Sequence, residues 1–186
     1  MSIEFEVSMD DILEFNLYHH QHSPNSRRAC LLLRVIMFIL MLLISLSFLI
    51  QTFVEESSAV YFLFWLILAV LWAVLFPRFY QRSIKKEVEK MYNEGKNKGI
   101  ICKHRLSLTP DMIINTTDFG ESKTYWSSVE KIASTDNHVF IYASAVMAFI
   151  IPKRAFSDES KYTEFIETAR QYHESAVVKQ HVLAKN

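Results

Sequence analysis

The sequence predicts an α+β membrane protein: a transmembrane helical hairpin joined to a small antiparallel β-sheet domain that a C-terminal helix closes. Three observations predict it. Two long apolar runs, Val35 to Ile50 and Ala59 to Phe76, lie between ordinary polar stretches. Arginine and lysine gather at the outer ends of these runs and are missing from the short connection between them. Beyond Gly99 the apolar residues change from a helical period to a period of two.

The chain opens with Ile3 to Val7, which alternates apolar and acidic residues as a short strand does. Ser8-Met9-Asp10-Asp11 then has the spacing of a helix capping box, in which a serine and an acid three residues on satisfy each other's main-chain N–H. A short helix with Ile12, Leu13, Phe15, Leu17 and Tyr18 on its apolar side should follow and run out at Ser23-Pro24-Asn25-Ser26. Residues 1–28 are thus expected to form an N-terminal cytoplasmic segment, its helix lying against the domain or the membrane surface.

Residues 29–54 form the first expected span and 59–77 the second, with 55–58 as an external loop. The 18 uninterrupted apolar residues from Ala59 to Phe76 would rise about 27 Å as a helix, close to the ~30 Å of a hydrocarbon core. Arg27, Arg28 and Arg34 precede the first run, Arg78, Arg82, Lys85 and Lys86 follow the second, and the connection carries Glu55 and Glu56. Positive charge concentrates on the cytoplasmic side, so both termini are expected there. Arg34 is near enough to that side for its long stem to carry the charge out to the headgroups. Past Pro77, Ile84, Val88, Met91 and Tyr92 recur at helical spacing among charges, which predicts an amphipathic stalk over 78–98.

The soluble domain is expected over 99–175. Ile100 to Leu108 and Met112 to Thr117 form a hairpin around Thr109-Pro110-Asp111, and further strands follow at Lys123 to Trp126, Val129 to Ser134, His138 to Ala143 and Val146 to Ile151. Ser157, Asp158 and Glu159 open a helix whose apolar stripe is Tyr162, Phe165, Ile166, Ala169 and Tyr172. Residues 176–186 carry no strong pattern and are expected to be a fraying tail.

Several of these segments carry a resemblance. Trp126-Ser-Ser-Val129, His138-Val-Phe-Ile-Tyr142, Phe149-Ile-Ile-Pro-Lys-Arg-Ala-Phe156, and at the N-terminus Phe5-Glu-Val7 and Asp11-Ile-Leu-Glu-Phe15 resemble the YcxB-like family of bacterial membrane proteins. The resemblance implies a pleckstrin-homology-like (PH-like) domain after the hairpin and a place in the bacterial cytoplasmic (inner) membrane. It brings no catalytic residues with it.

The residues themselves point away from catalysis. Nucleotide-binding, hydrolase and metalloprotease signatures are missing, and three glycines leave little main chain to cradle phosphates. Zero net charge and no basic stripe interleaved with aromatics speak against nucleic acid. His19 and His22 share a helix face, but two ligands make a weak metal site, and a polar helix end near headgroups is the plainer reading. No cofactor is expected. The candidate lipid or partner contacts are Arg78, Arg82, Lys85 and Lys86, whose plainer reading is membrane anchoring, and Lys153 and Arg154 between the last strand and the closing helix. Phe119 and Tyr125 flank a hairpin tip and join that group, with burial in the core as the competing reading. An open sheet edge offers a docking site for a protein. The expected function is a non-enzymatic interaction module anchored at the cytoplasmic membrane face; the alternative is an immunity protein against a membrane-active toxin or bacteriocin.

Overall fold

The computed structural model describes residues 1–51, 58–94 and 99–183, which divide into one unit of residues 1–15 with 89–186 and another of residues 16–88. The connection with Glu55 and Glu56, the expected end of the stalk near Gly95, and the last three residues lie outside the described residues.

The first unit is α+β. Strand β1 (Ser2–Glu6) is followed by the first part of α1 (Met9–His22). After the chain returns come β2 (Lys103–Leu108), β3 (Met112–Thr117), β4 (Gly120–Tyr125), β5 (Lys131–Ser134), β6 (His138–Tyr142), β7 (Ala148–Pro152) and α4 (Glu159–Leu183). The strands form two antiparallel sheets, β1-β2-β3-β4 and β5-β6-β7. The N-terminal strand is therefore an edge of the domain's own sheet, with Ser2 opposite Ser107 and Glu6 opposite Lys103.

Trp126 sits where the two sheets meet. Its segment, Trp126–Ser128, forms a 3-10 turn, so the strand expected over Lys123 to Trp126 ends at Tyr125. The indole is fully buried, donates to the Thr109 carbonyl at 2.7 Å and lies against Tyr172 of α4. Leu106, Leu108, Ile113, Val139, Ile141 and Ile151 meet Tyr162, Phe165, Ile166 and Ala169 in the same core. Asp158 caps α4 by accepting from the Lys161 N–H at 2.9 Å. That bond and one from Ser157 hold the Asp158 carboxyl below the usual range. The helix runs on to Leu183, past the segment where the sequence shows no strong pattern, and Ser175 to Gln180 contain no helix breaker.

Strand β6 is buried along its whole length, unlike a strand with one wet face. The cause is α1. Val139 and Ile141 face the core under α4, while Phe140 and Tyr142 take Phe15 of α1, at ring distances of 5.4 and 5.7 Å. A strand covered on both faces carries apolar residues without alternation, as β6 does.

Asp11 joins these elements. The expected capping box is present: Ser8 N–H donates to Asp11 Oδ2 at 2.7 Å, and the Asp11 N–H reaches the Ser8 hydroxyl at 3.4 Å. The same carboxylate, 1% exposed, also accepts from both terminal nitrogens of Arg154 and lies 2.7 Å from His138 Nε2. Burial alone would raise its pKa, but the bonds from Arg154, His138 and Ser8 outweigh burial and hold the carboxyl well below the ordinary value of 3.8. Arg154 also donates to the Glu6 carbonyl at 3.1 Å.

The second unit is helical: the last part of α1, α2 (Pro24–Gln51), and α3 (Ser58–Glu94) as far as residue 88. Pro24 stands at the first position of α2, where a missing N–H costs nothing. Both long helices are apolar enough to cross a bilayer, and most of their large apolar side chains are exposed. At 37 residues, α3 rises about 55 Å, more than a hydrocarbon core requires.

Asp11 is ionised more readily in the folded chain than in the unfolded one, so its contribution is complete above the ordinary carboxylate value and is lost as pH falls through the lowered folded value. Denaturant unfolding of the full chain should therefore lose stability below about pH 4, and Asp11→Asn should flatten that part of the profile. Arg154→Met should cost roughly 2–3 kcal/mol at neutral pH. This is less than for a wholly buried pair, because the Arg154 side chain is 57% exposed.

Candidate functional site

Pro77 sets the local geometry of the helical unit. It lies inside α3 and has no N–H, so the Ala73 carbonyl four residues earlier loses its helical partner. Arg34 of α2 donates to that carbonyl. A carbonyl left without its helical partner is costly to bury, which gives a charged side chain a reason to sit in an apolar helix. The expectation that Arg34 reaches out to the headgroups is thus corrected: its guanidinium turns across to α3. A second bond of the same kind runs from buried Ser45 to the Phe62 carbonyl at 3.0 Å.

Beside Pro77 the three helices leave a cleft of about 580 Å³. Leu17, Leu31, Phe76, Pro77 and Ile84 form its apolar wall, and Arg27, Arg28 and Arg34 its charged one. Among the described residues no carboxylate lines it. His20 lies edge-on to Tyr80 at 6.5 Å, and its Nδ1 is buried without a hydrogen-bond partner among the described residues. His22 instead stacks on Tyr18 at 4.0 Å, with Nδ1 2.9 Å from the Tyr18 carbonyl. Among the described residues no three His, Cys, Asp or Glu side chains converge as metal ligands.

The basic residues singled out from sequence lie elsewhere. Arg78, Arg82, Lys85 and Lys86 are exposed on α3, on the side of the helix opposite the stripe Phe76, Tyr80, Ile84 and Val88, and none of them lines the cleft. In the sequence Arg27 and Arg28 only orient the hairpin. The sequence signal that links them to a site is Pro77, which needs a donor for Ala73 and draws α2 toward that turn.

In the sheet unit, Phe119 is 61% and Tyr125 58% exposed, so the competing expectation of burial does not hold for either. Phe119 precedes Gly120, whose φ of 154° few side-chain-bearing residues adopt, at the turn into β4. Lys153 pairs with Glu159 at 2.7 Å and lies over the Tyr162 ring, and the bond to Glu159 raises its pKa. Arg154 is held by Asp11 and the Glu6 carbonyl, so the residue expected to contact lipid or a partner has internal partners. His138 has an acid near each ring nitrogen, Asp11 at Nε2 and Glu14 at 3.3 Å from Nδ1. Both ring nitrogens thus face carboxylates of α1, and the imidazole ties the start of β6 to that helix.

The Arg34 bond has a consequence that can be measured. Arg34→Leu should lower the stability of the micelle-solubilised chain by roughly 1 kcal/mol. In a Pro77→Ala background, where the substituted alanine restores the helical N–H, the same change at Arg34 should cost much less; thermal unfolding of the four variants reads the difference as a double-mutant cycle.

The family model described as YcxB-like protein matches residues 108–169, from the last residue of β2 into α4. This is the family that the sequence resembles. The matched stretch includes Trp126, β6 and the Lys153-Arg154 turn, and includes neither long apolar helix. No curated protein and no solved structure matches the chain.

Proposed function

We propose that the chain is a membrane-anchored, non-enzymatic interaction module, with its hairpin in the bacterial cytoplasmic membrane and a PH-like domain presented on the cytoplasmic side. The four-plus-three strand arrangement and the closing helix α4 support the PH-like reading. The two long apolar helices, with arginine and lysine at their outer ends, support the anchoring and its orientation.

The observation that carries the interaction reading is strand β4. It is the outer strand of its sheet, and all its residues but Thr124 are exposed. Exposed aromatics stand at its two ends, Phe119 just before it and Tyr125 as its last residue. A free strand edge offers main-chain donors and acceptors to an extended peptide, and aromatics beside it add apolar contact and choice of partner. Glu121 and Lys123, paired at 3.0 Å, keep the edge charged, which discourages self-association while leaving the main chain accessible.

Photo-crosslinking in living cells tests this. Probes placed singly at Phe119 and Tyr125 should capture one recurrent protein, and a probe at Val178 on the exposed side of α4 should not. Equal capture from all three positions, or none from the β4 pair, counts against a docking edge.

A further inference from the structure

The cleft beside Pro77 is chemically unlike the β4 edge and calls for a different ligand. Arg27 and Arg28 are exposed at the start of α2, and with Arg34 they put three guanidinium groups around one space of about 580 Å³ with no carboxylate among its lining residues. Such a concentration of like charge is repulsive unless an anion offsets it. The N-terminal end of the 28-residue α2 adds its own positive potential to the same place. His20 Nδ1, buried and unpartnered among the described residues, is a further polar atom at the cleft in need of a hydrogen bond.

The other wall decides what kind of anion. Leu31, Phe76 and Ile84 line the cleft, and Leu31 is followed at helical spacing along α2 by exposed Val35 and Ile39. A small hydrated ion gains nothing from that wall. An amphiphile whose phosphate meets the arginines and whose acyl chain lies along α2 uses both halves, and the volume is in the range of small-molecule pockets. We infer that the cleft is a binding site for the phosphate headgroup of an anionic membrane phospholipid, held by Arg27 and Arg28. The inference rests on the hairpin being inserted in a bilayer. Arg34 is bound to Ala73 and shapes the cleft; the two exposed arginines give the site its affinity.

The full chain, reconstituted in phosphatidylcholine vesicles doped with phosphatidylglycerol and then transferred to detergent, provides the test through native mass spectrometry of the lipid it retains. The wild type should keep phosphatidylglycerol in preference to phosphatidylcholine. R27Q/R28Q should lower that retention about twenty-five-fold, each arginine near the surface contributing about a factor of five. R27K/R28K should restore most of it, and R78Q/R82Q, which removes the same charge from the far side of α3, should leave it unchanged. An equal loss in R78Q/R82Q would reduce the effect to general surface charge and overturn the site. Displacement of the lipid by inorganic phosphate, at an ionic strength matched with chloride, would overturn the lipid assignment in favour of a soluble anion. Resistance of each reconstituted protein to alkaline carbonate extraction reports anchoring separately, so a failure of insertion is distinguishable from a failure of the cleft.

Discussion

A single carboxylate organises the sheet unit. Asp11 caps α1 through Ser8, accepts from Arg154 after the last strand, and faces His138 at the start of β6. These groups are separated along the chain by 127 and 143 residues. A buried carboxylate tolerates this position only when its lone pairs are filled, so α1 must dock where Arg154 and His138 await it or remain unpacked. Phe15 then covers Phe140 and Tyr142, and β6 acquires its second buried face. Shape-filling alone would allow α1 several seats on an apolar sheet; the charge selects one.

The helical unit is built on a similar principle with the signs exchanged. There a backbone defect comes first: Pro77 frees the Ala73 carbonyl, and a cation is drawn into an apolar helix to meet it. Arg34 in one unit and Asp11 in the other are charges whose partners cannot be read from their own segments. Each is explained by a specific unsatisfied group on another segment, and that segment is distant in sequence in both cases.

Local patterns in the sequence carried most of the architecture. Apolar run lengths located α2 and α3, the hairpin around Thr109-Pro110-Asp111 located β3 at both ends, and Ser8 with Asp11 was recognisable as a cap. What was not legible was long-range. Nothing in Ile3 to Val7 announces that this strand pairs with one beginning at Lys103, because strand periodicity carries no partner information. Asp11 read as a cap alone, since its second role depends on residues more than a hundred positions away. The cleft was hidden for the same reason: Arg27, Arg28, His20 and Pro77 are unremarkable one by one, and only the packing of three helices brings them together. Exposed Phe119 and Tyr125 ran against the habit of aromatic residues to seek a core.

The pairing of β1 with β2 has a bearing on how the protein is made. Ser2 leaves the ribosome long before Ser107, and both long apolar helices are synthesised between them. The first strand and the acid that anchors α1 must wait, unpaired, until the hairpin has been completed and the rest of the sheet has followed. Closing a contact across so long a loop is slow compared with forming a local hairpin. Maturation thus has a built-in order, in which the apolar helices find their environment before the sheet can close, and a chain stalled before Arg154 would hold Asp11 without its principal counter-ion.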